Sequence, residues 1–326
     1  MTIRHRAASV AAVALLCGAG LASTGCGRYS IGSLKAAKAF KDANAAYQVK
    51  EWKRAADRYE AVVSNESALK TSPGFNIAYF FLGNCYDQLY KPAKQGDPQN
   101  DQYIQKAIEN YRKAADNITD AKWKKSSLEY LAAAYGSDKL NDPGKAEPVY
   151  KEIIQLDPSS PENYMALAKL YEDAGRYDDA EAQYQKAKQV KPNDPSVLAG
   201  LAGYYNRQGD FDKTIEALQQ AALLEPNNPE GYHRVATFYW EKANKDYRLS
   251  SAQKKDFIVK GLAMEDKALS LNPDYLDAIT YKNILLRLEA REEKDPAKQK
   301  ILLDEADKLR NRVIDANNRK RSGKGD

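Results

Sequence analysis

Apolar positions along this chain follow two superposed periods. Within short windows they fall at i, i+3, i+4 and i+7: Tyr164, Leu167, Ala168 and Tyr171 form one such set, and Leu198, Leu201, Ala202 and Tyr205 the next. That spacing puts all four side chains on one face of an α-helix. The sets then recur 34 residues apart. Leu167, Leu201 and Val235 correspond, as do Ala168, Ala202 and Ala236, then Tyr171, Tyr205 and Tyr239, then Pro158, Pro192 and Pro226. A second stripe lies between them: Ala180, Tyr184 and Ala187 in one copy, Thr214, Leu218 and Ala221 in the next. Gly175 and Gly209 separate the stripes, where a helix C-terminus most easily turns left-handed. The prolines end the second stripe, because proline cannot continue a helix. The pattern predicts antiparallel helix pairs. Ala168 faces Ala180 and Tyr184, and only a small side chain lets two backbones approach closely enough for aromatic knobs to fill the gap. Most of the 22 tyrosines fall on these stripes and read as seam packing.

A 34-residue period carrying Leu-Ala, Tyr, Gly, an aromatic, Ala and a closing Pro resembles the tetratricopeptide repeat (TPR) family. The resemblance covers roughly residues 34–273 and is most specific from Tyr135 to Tyr239. It implies an all-α, right-handed α-α superhelical solenoid of about six helix pairs. Upstream units are read from Leu128, Leu131, Ala132 and Tyr135 with Ala146, Tyr150 and Ile153, and from Tyr79, Leu82, Gly83 and Tyr86 with Ala107, Tyr111 and Ala114. Asp142-Pro143-Gly144 is read as a lengthened loop, and Lys91 to Asp101 as a loop interrupting the earlier unit. The first unit diverges, with Ala43 and Ala46, then Trp52, Ala55 and Tyr59. Pro226 and Pro273 stand 47 residues apart, so 13 extra residues lie around Ala243 to Lys255 and are expected to lengthen both helices of that unit. Residues 274–316 read as capping helices, since the end of a solenoid needs a polar outer face. Residues 317–326 read as a disordered basic tail. Length alone suggests two domains; stacked repeats argue for one elongated domain with a continuous core.

The N-terminus carries Arg4 and Arg6, then an apolar run from Ala7 to Ala22 that is short for a membrane span, then Ser23-Thr24-Gly25-Cys26. This looks like a bacterial lipoprotein signal: residues 1–25 would be removed, Cys26 lipidated, and residues 26–33 would form a tether. Ser23 departs from the leucine usual at its place. Gly27, rather than Asp, after Cys26 implies export to the outer membrane, facing the periplasm. Several acyl chains on one cysteine give stable anchoring. Without the leader, Cys85 is the one cysteine besides Cys26, so no internal disulfide is available.

Chemistry is sparse. Beyond the leader His233 is the single histidine, which leaves no histidine-built zinc site and no cysteine cluster. Gly323-Lys324-Gly325 lacks the upstream glycine and the Ser/Thr of a P-loop. Removing Arg4 and Arg6 leaves 48 basic residues against 45 acidic, a net +3, which does not suggest a nucleic-acid partner. No enzyme, cofactor or metal is expected. By the resemblance, the first helix of each pair lines a concave groove. Its outward positions hold Phe80 and Asn84 in one unit, Met165 and Lys169 in another, then Asn206 and Arg207, then His233 and Trp240. These are the candidate contacts for partner proteins or extended peptides, with Trp240 as the anchor. The Lys/Asn clamp by which some TPR domains hold a chaperone's C-terminal carboxylate is not matched. The expected function is a non-enzymatic protein-interaction scaffold of the bacterial envelope, in an outer-membrane, pilus or secretion assembly. The alternative is a stand-alone peptide- or glycan-binding lipoprotein.

Overall fold

The computed structural model describes residues 31–323. The leader, Cys26 and the first residues of the tether lie outside the described residues. What is described is helical, with no strand, and most helices pack on a sequence neighbour. The chain divides into two compact units at Lys124/Lys125.

In the first unit α1 (Ile31–Gln48) and α2 (Trp52–Val63) form a hairpin. A short α3 (Glu66–Thr71) and a 3-10 turn (Pro73–Asn76) lead to α4 (Ile77–Leu89), which packs on α2 and on α5 (Pro98–Asn117). Residues 31–33 of the stretch read as a tether are helical. The α1 start is tied to α3: Gly32 O accepts from Asn65 Nδ2 at 2.9 Å, and Ser33 and Thr71 share a hydrogen bond of 3.3 Å. The stretch read as an interrupting loop is partly helix. Asp97 caps the backbone N–H groups of Gln99 and Asn100, and Pro98 supplies the first helical residue. Buried Asn100 pins the remaining loop, accepting from Lys91 N at 2.8 Å and donating to Lys91 O and Lys94 O.

Helix α6 (Ala121–Tyr135) spans the division. The second unit continues with α7 (Pro143–Leu156), α8 (Pro161–Asp173), α9 (Tyr177–Val190), α10 (Pro195–Arg207), α11 (Phe211–Leu224), α12 (Pro229–Lys245), α13 (Ser251–Leu271), α14 (Leu276–Glu292) and α15 (Pro296–Arg321). One device opens most of them. A proline sits at the first helical position of α7, α8, α10, α12 and α15, and Asp142, Asp194, Asn228 and Asp295 accept from the backbone just inside. Pro143 thus starts a helix, and the lengthened loop expected here is residues 136–142, against 174–176 and 208–210 in the next two pairs. Gly175 and Gly209 close α8 and α10 with φ of 73° and 76°. At each, the following N–H reaches back to Tyr171 O or Tyr205 O, the six-to-one bond of a left-handed C-cap.

Leu167, Ala168, Tyr171, Ala180, Tyr184, Leu201, Ala202, Tyr205, Leu218, Val235 and Tyr239 share one buried cluster, so the predicted seam is the observed one. The 13 extra residues resolve by comparison with α10 and α11, which have 13 and 14 residues. Helix α12 has 17 and α13 has 21, and the connection between them is two residues longer. The disordered tail needs correction: residues 317–321 continue α15. Arg319, Lys320 and Arg321 lie in its last turn, where cations complement the helix dipole.

A three-residue clamp recurs at the seams. Tyr171 OH donates to Glu147 Oε1 at 3.0 Å, while Arg176 donates to Glu147 Oε2 at 2.6 Å and lies 4.2 Å over the Tyr171 ring. Tyr205 OH donates to Glu181 at 2.9 Å, and Lys213 reaches Glu181 at 3.3 Å and the ring at 4.9 Å. Tyr86, Glu60 and Lys106 repeat it in the first unit, with Lys106 4.8 Å over the ring. Each time the carboxylate comes from the second helix of the preceding pair and the tyrosine from the first helix of its own. The cation comes from the second helix or its cap. The clamp therefore ties three successive helices. Burial, then Glu181, pushes the Tyr205 hydroxyl up to about 12. Lys151, then Arg176 and Tyr171, hold the Glu147 carboxyl down to about 2.

Candidate functional site

The predicted contacts separate into several settings. Phe80 and Asn84 belong to the first unit and are buried, which corrects their assignment to an open groove. The Phe80 ring packs against Phe81, Tyr111 and Trp123. Asn84 Oδ1 accepts from Tyr47 OH at 2.7 Å. Two adjacent phenylalanines leave the inward face of α4 ambiguous from spacing alone. Phe80 finds its ring partners on α5 and α6, and Phe81 on α1, α2 and α6.

In the second unit Met165 and Lys169 stand on α8. Met165 is half-buried and occupies the space left by Gly200 of α10, where a Cβ would lie 2.5 Å from Met165 Cε. It fills the seam between two first helices. Lys169 is exposed and pairs with Asp173 one turn on. Arg207 of α10 turns back onto α8 as a bidentate partner of Glu172, with Nη2–Oε2 at 2.9 Å. The Glu172 side chain is only 7% exposed, so this ion pair is largely structural.

His233 and Trp240 of α12 meet on the same ring of α14. His233 Nδ1 lies 2.9 and 3.2 Å from the two oxygens of Glu265 on α13, with the rings of Tyr275 and Tyr281 edge-on at 5.3 and 5.1 Å. Glu265 is fully buried, and burial pushes its carboxyl up to about 7 against the opposing pull of His233. Trp240 is half-buried, edge-on to Tyr281 at 5.4 Å and packed on the Ala243, Ile258, Leu285 and Leu288 cluster. It anchors α12 to its neighbours as well as facing outward.

Asn206 lies at a cleft that the sequence did not single out. The cleft has a volume of about 350 Å³. Phe211 and Phe238 contribute its apolar surface, and the longer α12 with its following connection supplies Lys242, Lys245, Asp246, Tyr247 and Arg248. The 13-residue insertion was the legible signal for it. Among the described residues no three or more His, Cys, Asp or Glu side chains are grouped to hold a metal. Nor is any described helix long and apolar enough to cross a membrane.

Stacked antiparallel helix pairs with Leu-Ala-Tyr seams define a helical repeat protein. Residues 139–203, from before α7 into α10, match the family described as Tetratricopeptide repeat. No curated protein matches the chain. Among solved structures, the C-terminal part of a TPR repeat-containing protein from Cytophaga hutchinsonii is 15% identical, with a TM-score of 0.52 over 83% of this chain and 95% of that one. MamA is 19% identical, covering 61% of this chain and 94% of its own, with a TM-score of 0.41. YrrB, described as a TPR protein with an unusual peptide-binding site, is 15% identical over 67% and 96%, with a TM-score of 0.37. The family match holds for residues 139–203, and the likeness to the Cytophaga hutchinsonii structure shows a shared helical-repeat fold.

Proposed function

We propose that this chain is a non-enzymatic scaffold that binds partner proteins or peptides through the outward positions of its first helices. One observation carries the reading. Across α8, α10 and α12 the inward positions repeat, whereas the equivalent outward ones do not: Met165, Ala199 and His233; Lys169, Gly203 and Thr237; Asp173, Arg207 and Glu241. A repeated frame with a varied outer row suits recognition: Met165, Arg207 and His233 of that row also hold the seams, and Lys169, Asp173 and Glu241 stand exposed beside them. The leader supports export and anchoring through Cys26 in a bacterial envelope, at the outer membrane facing the periplasm.

Crosslinking in the native organism, followed by recovery of the chain, tests the binding reading. Lys169→Glu combined with Asn206→Ala should leave melting unchanged and reduce partner recovery about tenfold, equivalent to about 1.4 kcal/mol. Unchanged recovery would move the interface off this face. Cys26→Ser should shift the protein from the membrane to the soluble fraction. Wild-type protein that is soluble, and free of lipid by mass spectrometry, would refute the anchor.

A further inference from the structure

The thirteen inserted residues do more than lengthen two helices. The last turn of α12 and its connection to α13 overhang the α10–α11 corner, and the cleft opens between them. The connection is held by charge rather than by burial. Asp246 accepts from Lys242 Nζ at 2.9 Å, from Arg248 Nε and Nη2 at 2.9 Å each, and from the Arg248 backbone at 3.1 Å. Arg248, then Lys242, hold the Asp246 carboxyl far below its usual range, so the connection stays charged and tied at any ordinary pH. With its neighbours so fixed, Tyr247 projects into solvent and is 93% exposed.

The charges are layered. Asp246 is 12% exposed, against 25% for Lys242 and 73% for Arg248. Glu241 is likewise more covered than its partner Lys245, at 48% against 64%. The lining carries three cations, Lys242, Lys245 and Arg248, against two carboxylates, Glu241 and Asp246, and Arg248 and Lys245 are the most exposed of the five, so an approaching molecule meets a net positive rim beside Phe211 and Phe238. At about 350 Å³ the cleft is near the small end of ligand pockets, roughly 300–1,000 Å³. That volume suits one or two side chains. An exposed tyrosine is a residue type enriched among those that dominate protein interfaces.

We propose that this cleft is a second binding site, taking an acidic segment of a partner protein that inserts an aromatic or aliphatic side chain onto Phe211 and Phe238. Asp and Glu residues flanking that side chain meet Lys245 and Arg248, and Tyr247 covers it from the outside. The proposal rests on the reading of the chain as a protein-interaction scaffold. It adds a site at the helix-turn edge, which borders the outward row of first helices at Asn206 and Glu241.

A phage-displayed library of random peptides, selected on the full chain, provides the test. Recovered peptides are synthesised and titrated by fluorescence anisotropy against wild type, Tyr247→Ser, Lys245→Glu and Lys169→Glu. Tyr247→Ser should melt as wild type does, because the ring contributes no buried surface. The expected result is enrichment of Asp and Glu beside an apolar residue, affinity lost about tenfold in Tyr247→Ser and in Lys245→Glu, and weakening with added salt. Peptides without acidic enrichment, or equal affinity for both cleft variants, overturn the proposal. If Lys169→Glu alone abolishes binding, the cleft fails while the scaffold reading stands. If no peptide is recovered and crosslinking captures no partner, both fail.

Discussion

At the scale of single residues, small side chains govern how closely the helices approach. Ala202 is 2% exposed between α10 and its neighbours in the shared cluster. Ala202→Leu forces three extra carbons into a filled seam and should cost roughly 1–3 kcal/mol. Thermal melting measures it, and an unchanged melt would displace the register of the repeats. Glu265 offers a second residue-scale prediction. Its carboxyl is raised to about 7 by burial, with His233 opposing and Asp266 and Asp277 adding to the rise. A carboxyl with a raised folded-state value holds its proton longer when folded. Its contribution to stability is therefore present below the ordinary carboxylate range and is lost as pH climbs from about 4.5 to about 7. Denaturant melts across that interval should show falling stability in wild type. In Glu265→Gln, which keeps the shape without the titration, this decline should be much reduced.

At the scale of elements, the Glu–Tyr–cation clamp explains how a seam of tyrosines keeps its hydroxyls satisfied at the rim. Glu147 shows the opposite sign from Glu265. Its folded value is depressed to about 2, so its contribution is present above the ordinary range and vanishes as pH falls from about 4.5 toward 2. Acid titration should destabilise wild type more steeply there than Glu147→Gln. For Glu181→Gln at neutral pH the expected loss is about 1 kcal/mol, since the clamp sits at a partly exposed rim. Urea melts of the two proteins test this. The unit carrying the insertion departs from the clamp. Tyr239 accepts from Gln219 at 3.4 Å, as Tyr205 accepts from Gln185 at 2.9 Å, but Ile215 stands where the other seams place Glu147 and Glu181.

At the scale of the whole molecule, legibility tracked local spacing. The Leu-Ala-Tyr stripes of α8, α10 and α12 could be read because helix contacts within a pair recur at fixed offsets. The length of the insertion could be read because Pro226 and Pro273 bracket it. The candidate site was less legible, because its side chains answer to partners a repeat away. Arg207 is committed to Glu172, 35 residues earlier, and His233 to Glu265, 32 residues later. Phe80 and Asn84 are buried by rings and hydroxyls from three other helices. Outward position on a helical wheel cannot reveal such commitments. The tail was misjudged because composition spoke for disorder, whereas the Asp295-Pro296 start propagates a helix into the basic residues.

An array of equivalent pairs has a translational ambiguity: a long partner that fits one stretch of repeats fits the next almost as well, shifted by one step. The insertion in α12 and α13 breaks that symmetry once, as a mark breaks the uniformity of a ruler. A partner that touches the mark while lying along the repeats has a single permitted register, and its orientation along the array follows. Excising thirteen residues, four from the end of α12, two from the connection and seven from the start of α13, restores the 34-residue period and should leave the helices able to pair. Crosslinks from one position on a bound partner, confined to one repeat in the intact protein, should then spread over neighbouring repeats.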